Sequence, residues 1–409
     1  MADASVQIQA SSLGATLDPA SRRRALVAVV ACICIYGITF GLTQPLLSLI
    51  LEGRGVGASI IGLNAATASF GTLLASPLIP ALTRLLGARG LLLICICAEA
   101  LLLLALKRFD SLAAWFAIRF LLGASAAGLF VISETWINEI ATEASRGKVI
   151  GIYTGAIAAC FSLGPLVIPV TGIEGWAPFV IGALLVALAA LPLLFVGHAI
   201  PRLDGAPSFG VVSFMVVAPV LAAAVLLASF KDSALMALLA VYGVRSGLAE
   251  GTAALMLVAF GLGATVSQVP LGALADRFPR GKLLLICTSG GGLGALLLPW
   301  LVGDGPLFWL VLFVWGGLYA GIYTLAMILL GQRFRGAELA TANAAFGLLW
   351  GIGSLSGPLL GGAAMEAWNP HGLVATLVVA TGLFFGLLLW RQGRATGVRE
   401  ITRTPSPGP

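Results

Sequence analysis

Long apolar runs separated by short polar stretches fill most of the chain. They cover about 25–50, 58–82, 90–106, 112–137, 148–170, 176–197, 218–243, 249–274, 283–302, 306–330, 337–363 and 371–390, each near the roughly 20 residues that a helix needs to cross a bilayer. The pattern predicts twelve membrane-spanning helices. A transmembrane barrel would alternate apolar and polar positions in short strands, whereas these runs are continuously apolar and rich in Leu, Ala and Gly. The polar stretches divide the chain into a tail at 1–24, a six-helix bundle at 25–197, a connection at 198–217, a second six-helix bundle at 218–390 and a tail at 391–409.

Composition excludes a soluble protein: 59% of the 409 residues are hydrophobic and 10% charged, against about 25% charged in soluble domains. The first 24 residues are polar and end in "SRRR", so no cleavable signal is expected and the first run stays as a helix. Seventeen of the 23 Lys and Arg lie on one side of the predicted spans together with the two tails, and Arg54, Lys107, Arg108 and Arg245 lie opposite. The positive-inside bias therefore predicts that both termini are cytoplasmic. The net charge of +6 is read as this topology signal, with no nucleic-acid partner. Cys32 with Cys34, and Cys95 with Cys97, form two Cys-x-Cys pairs. Residues two apart point about 200° away from each other on a helix. The cysteines are read as small packing residues, and no metal, cofactor or catalytic residue is predicted.

The two bundles repeat each other. "SPLIPALTRLLGARGLLLIC" at 76–95 matches "VPLGALADRFPRGKLLLIC" at 269–287, which puts Pro77 on Pro270, and Gly164-Pro165 falls on Gly357-Pro358 at the same offset of 193. Two parallel six-helix repeats joined by a central loop are the layout of secondary transporters, whose site lies near the bilayer midplane between the repeats.

Several motifs give the resemblance a name. "GALADRFPRGK" at 272–282 resembles the loop signature G-x-x-x-D-R-x-x-R-x-K of the major facilitator superfamily; the first-half copy has Ile79 and Thr83 in place of Gly and Asp. "NEIATEASRG" at 138–147 resembles its Glu-x6-Arg-Gly element, and "GSLSGPLLGG" at 353–362 its G-x-x-x-G-P-x-x-G-G strip. The partner stretch "CFSLGPLVIP" at 160–169 keeps Gly-Pro but carries Ile168-Pro169 for Gly-Gly. "ISETWINEI" in the fourth span is similar to the YcaD-like branch of bacterial permeases. The resemblance covers about 22–395 and implies an all-helical membrane fold, with the bundles related by a pseudo-two-fold axis along the membrane normal. It further implies a bacterial inner-membrane location and a monomer among lipid. Spans 1, 4, 7 and 10 would line a central cavity, and the third span would be peripheral, Glu99 with it.

Within that frame Asp276, Arg277 and Arg280, with Glu139 and Arg146 in the first half, are expected to gate the cytoplasmic side. Asp276 would accept hydrogen bonds from the amino end of a neighbouring helix, where dipole and free N–H groups favour an anion. Gly353, Gly357, Gly361 and Gly362 with Pro358, and Gly164-Pro165, are read as packing pivots between halves. Arg119 and Glu134 share one face of the fourth span about 22 Å apart, too far to pair, and a lone charge at that depth costs several kcal/mol. Arg119, in "RFLLG", resembles the helix 4 arginine of drug/proton antiporters. In "SFKDSALM" at 229–236, the offset places Lys231 on Ile38 and Asp232 on Thr39, at mid-membrane on the seventh span. The other reading ends that span near Phe230 and puts the pair in a loop. Trp315, Tyr319 and Tyr323 recur every fourth residue and suit a flat or amphipathic solute. Tyr36, Gln44 and Asn64 add hydrogen-bonding groups.

These readings converge on a secondary active transporter that moves a small organic solute by alternating access, driven by protons, with Glu134 the main titrating carboxyl. Export by antiport is the first reading and proton-symport import of a nutrient or vitamin the alternative. No phosphate-binding Gly-x-x-x-x-Gly-Lys-Ser/Thr loop supports direct ATP drive. A receptor or membrane enzyme would need a clustered constellation, and a channel pore-lining repeats.

Overall fold

A computed structural model describes residues 18–141, 146–194, 214–215, 217–303, 305–334 and 336–401; the side chains at 19, 146–148, 194, 336–341, 344 and 392–401 lie outside the described set. The helices are α1 (Pro19–Gly53), α2 (Ala58–Ala75), α3 (Ala88–Arg108), α4 (Leu112–Ile140), α5 (Arg146–Leu163), α6 (Ala177–Leu194), α7 (Pro219–Arg245), α8 (Glu250–Arg277), α9 (Arg280–Leu301), α10 (Pro306–Arg333), α11 (Gly336–Ala367) and α12 (Gly372–Ile401). Eleven described segments are long and apolar enough to cross a membrane. The sixth expected span, 176–197, is described only as far as Leu194, and the connection at 198–217 falls almost wholly outside the described residues. Asp18 starts α1: its Oδ2 accepts from the backbone N–H groups of Ala20 and Ser21 at 3.2 and 3.1 Å. Hydrogen bonds from the Ser21 side chain and backbone hold its carboxyl below the ordinary carboxylate range.

The repeat prolines act differently in the two halves. Pro77 and Pro165 each sit in a 3-10 turn, Ser76–Leu78 and Gly164–Leu166, after which short helices Ile79–Leu86 and Val167–Thr171 resume. Their equivalents Pro270 and Pro358 lie inside the unbroken α8 and α11. A proline removes one backbone donor and crowds the preceding turn. The same residue therefore breaks one helix and is absorbed by its counterpart.

The chain forms two compact units. One comprises Met1–Phe40, Gly71–Gly164 and Gly175–Ala206; its core packs Val29, Ile33 and Cys32 of α1 against Leu92 and Leu103 of α3, Trp136 of α4 and Val186 of α6. The other comprises Gly41–Phe70, Pro165–Glu174 and Pro207–Pro409, so the end of α1, most of α2 and the short helix Val167–Thr171 belong with the second repeat. Its core draws on Ala224 and Val225 of α7, Ile322 and Leu325 of α10, Leu349 of α11 and Phe384 of α12.

In the second unit α2 and α11 touch through backbone. A Cβ on Gly62 would run into the carbonyl oxygen of Pro358 and lie 3.2 Å from the Cα of Gly362, and one on Gly362 would lie 2.5 Å from the carbonyl oxygen of Ala58. Without a hydrophobic effect between helices in lipid, such close approach is a main source of packing energy. Gly62→Val is therefore expected to lower the melting temperature of the purified protein by several degrees. Gly90→Ala, where a Cβ meets nothing within 4 Å, should leave it unchanged. Equal melting of Gly62→Val and the parent protein would show that this contact contributes nothing.

Candidate functional site

α7 runs unbroken through Lys231 and Asp232, which removes the loop reading. It is the most enclosed span, with 83% of its most apolar window buried. Among the described residues from Ala218 to Ser246, Asp232 alone is exposed. Its neighbours along the same helix face, Leu221, Val225, Ala228, Leu235 and Leu239, are all buried, so Asp232 is a single opening in an otherwise closed face. Lys231, 100° round the helix, is 0% exposed; its Nζ lies over the ring of Tyr319 and, among the described residues, has no hydrogen-bond partner. Tyr319 is edge-on to Phe260, and Trp315 is fixed by a 2.8 Å bond from its Nε1 to the Gly291 carbonyl. Tyr323 is separate from this cluster: it is exposed and packs edge-on against Trp350.

In the first unit Arg119 is 1% exposed, whereas Glu134 is open to the surface. Their shared helix face thus passes from a closed to an open environment along α4. Tyr36 is half-buried in a group of rings with Phe40, Phe130 and Phe161, at centroid distances of 5.6–6.1 Å. Gln44 and Asn64 are buried in the second unit. Glu99 departs from the peripheral reading. It is 0% exposed, and its Oε1 accepts from Ser125 Oγ of α4 at 2.8 Å. The hydroxyl of Thr39 on α1 is its second polar neighbour.

The second unit holds a polar cluster that sequence reasoning missed. Arg245, at the end of α7, clamps Glu52, at the end of α1, with Nε to Oε1 at 2.8 Å and Nη2 to Oε2 at 2.7 Å. Its Nη1 also donates to Asn369 Oδ1 at 3.0 Å. Beside it Glu366, at the end of α11, accepts from the backbone N–H of Ser59 at 3.3 Å, in the first turn of α2, where the helix dipole favours an anion. Gly57 leaves room for this carboxylate, since a Cβ there would meet its Oε2 at 2.8 Å. Four helix ends are joined at a recess of about 340 Å³. One signal was available: Glu52 and Arg245 are 193 residues apart, the repeat offset, so equivalent positions of the two halves carry opposite charges.

The signature residues at the other helix ends are looser. Asp276 is 81% exposed and reaches Arg280, the first residue of α9, at 3.9 Å across the turn between α8 and α9; Arg277 is exposed. Glu139 is half-buried at the end of α4, and the side chain of Arg146 lies outside the described residues. The glycine strip divides by partner. Gly353 and Gly357 lie against Ser229 and Phe230 of α7, and Gly361 against Leu238 of α7 and Leu373 of α12, all within one repeat. Gly362 and Pro358 meet Ala58 and Gly62 of the other. The Gly164-Pro165 pair sits in the 3-10 turn, and Pro169, equivalent to Gly362, lies 3.4 Å from where a Cβ of Gly251 would be.

The family model of the Major Facilitator Superfamily matches residues 29–211 and 221–406. The chain belongs to the major facilitator superfamily. It is 27% identical over 367 residues to the MFS-type transporter YfkF of Bacillus subtilis, covering 84% of this chain and 90% of that one. To the MFS-type transporter YcaD of Escherichia fergusonii it is 23% identical over 286 residues, covering 69% and 73%. Among solved structures it shares the fold of a bacterial homologue of the human lysosomal transporter Spinster in an inward-facing, unoccupied conformation (TM-score 0.71, 15% identity, 91% of this chain and 96% of that one). It also shares the fold of the nucleoside transporter NupG (TM-score 0.70, 15% identity, 91% and 98%). The protein is thus a multi-pass membrane transporter of the superfamily, all-helical, with two pseudo-symmetric repeats.

Proposed function

We propose that this superfamily member is a proton-coupled secondary active transporter of the bacterial inner membrane that moves a small organic solute by alternating access, with both termini cytoplasmic. The observation that carries the reading is Asp232, the single exposed position of the most enclosed span, beside a fully buried Lys231. A charge at membrane depth is costly, and where it is kept it commonly marks an ion or solute path. Asp232 is the group the solute or proton meets. Lys231 and Tyr319 stand behind it, and Glu134 is the water-facing carboxyl of the first repeat. Trp315 and Tyr319 favour a flat or amphipathic solute body. Asp276, Arg277, Arg280, Glu139 and Arg146 gate the cytoplasmic ends, and the Glu52–Arg245 and Glu366–Ser59 contacts close the opposite ends. The fold shared with NupG supports the mechanism and carries no substrate to this chain. Export by antiport is favoured over import on the Gly164-Pro165 element.

Proteoliposomes given a pH gradient and a panel of fluorescent planar organic cations and anions test the proposal. Accumulation that collapses with a protonophore is the expected result. Glu134→Gln should abolish that accumulation while solute-for-solute exchange continues, because a permanently neutral side chain carries no proton. Unchanged pH-driven accumulation by the variant would remove Glu134 from the coupling, and an absence of accumulation for every probe, with nonspecific leak excluded, counts against proton-driven transport of such solutes.

A further inference from the structure

Glu99 is a carboxyl for which the transport scheme above has no use. It lies near the middle of α3, fully buried. Its polar neighbours are two hydroxyls, Ser125 of α4 at 2.8 Å and Thr39 of α1. The titratable groups that face it are the hydroxyl of Tyr36 on α1 and the thiol of Cys95 on its own helix. Among the described residues no Lys or Arg forms an ion pair with it. An ionised carboxylate so enclosed would cost many kcal/mol, and such groups hold a proton instead. The two hydroxyls suit both forms, since each can donate to a carboxylate or accept from a carboxylic acid.

Thr39 is also the last residue but one before α1 passes, at Phe40 and Gly41, from one compact unit into the other. Any turn of α1 that lifts Thr39 away changes what Glu99 can bond to.

We infer that Glu99 is a buried proton-binding site, held as the neutral acid against the hydroxyl of Ser125. One proton moves: on release the O–H bond of the carboxylic acid breaks, its electron pair stays on the carboxylate and water takes the proton. This deepens the proton-coupled reading and rests on it for its purpose.

Infrared spectroscopy of the purified protein in lipid tests it without any solute or gradient. The parent protein should show at neutral pH a protonated-carboxyl stretching band that is absent in Glu99→Gln and present in Glu134→Gln. Transfer to D2O should shift the band to lower frequency. A band unchanged in Glu99→Gln, or no such band in the parent, overturns the site. If Glu99→Gln does not fold, Ser125→Ala decides: losing its donor moves the band to higher frequency if the band belongs to Glu99, and an unmoved band overturns the assignment. A Glu99 band without pH-driven transport would sink the coupling and leave the buried proton; pH-driven transport without the band would do the reverse.

Discussion

Arg245→Ala is expected to open the end of the molecule where α1 and α7 finish. The guanidinium holds Glu52 through two short charge-assisted bonds and Asn369 through a third, with the paired side chains only 14% and 17% exposed. Hydrogen bonds to charged groups contribute about 1.5–3 kcal/mol each when desolvated, and truncation also strands the Glu52 carboxylate in a partly buried place. A bias of about 1.4–2.8 kcal/mol toward the open form corresponds to roughly 10–100-fold in the equilibrium. In a background lacking the six native cysteines, a cysteine at Val56, which lines the same recess, should then react with a membrane-impermeant maleimide faster by about that factor. Glu52→Gln should act in the same direction. The exchange Glu52→Arg with Arg245→Glu should restore much of the slow labelling, because these positions are equivalent in the repeat and the clamp can be built from either side. Labelling rates that are the same in the parent and both single variants would show that the clamp does not hold this end closed. A swap as reactive as the single variants would place the effect in lost packing instead of charge.

Lys231→Met is expected to abolish transport and to make the protein more stable. The ammonium is wholly buried, with no hydrogen-bond partner and only the face of Tyr319 beneath it. A cation–π contact recovers about 2 kcal/mol when desolvated, less than the several kcal/mol that burial of an unpaired charge costs. Methionine keeps most of the length and volume of the side chain and carries no charge. Removing an uncompensated charge from such a place should raise the melting temperature by a few degrees. The trade of stability for function is common at working sites. Full transport by the Met variant would exclude Lys231 from the mechanism. A clear loss of stability would show instead that the ammonium has a compensating partner, with Asp232 the nearest anion. Asp232→Asn, which leaves Lys231 in place, separates the two: it should impair transport with little change in melting, since Asp232 is already exposed.

The spans, their order and the repeat were legible because a bilayer imposes them on composition. A crossing helix must satisfy its own backbone and present apolar side chains for about 20 residues, and duplicated halves leave matched prolines and glycines at one offset. The superfamily signatures were equally plain in one dimension. Lys231 and Asp232 stood out for the same reason, as charges in a run that lipid would otherwise reject. Which way each charge faces was a different matter. In a soluble helix the apolar stripe marks the inside, but these helices are apolar on the lipid side and on the packed side alike. Rotation is therefore invisible in the pattern, and Glu99 was read as peripheral when it is sealed against α1 and α4.

What the sequence by itself determined is the membrane class, the helical architecture, the two repeats and the superfamily, all of which follow from local composition and from periodic or repeated residues. The tertiary structure decided which of the polar groups meet. Glu366 reaches the first turn of α2 across 307 residues, and Glu52 reaches Arg245 across 193. Gly362 contacts the other repeat while Gly353 and Gly357, in the same strip, contact their own. Asp232 is exposed while its neighbour Lys231 is closed off. Each of these depends on how far a helix is turned about its axis and where its end falls beside another. Those quantities are set by the packing of whole helices against one another, since a rotation of 100° separates adjacent residues and exchanges an open environment for a closed one.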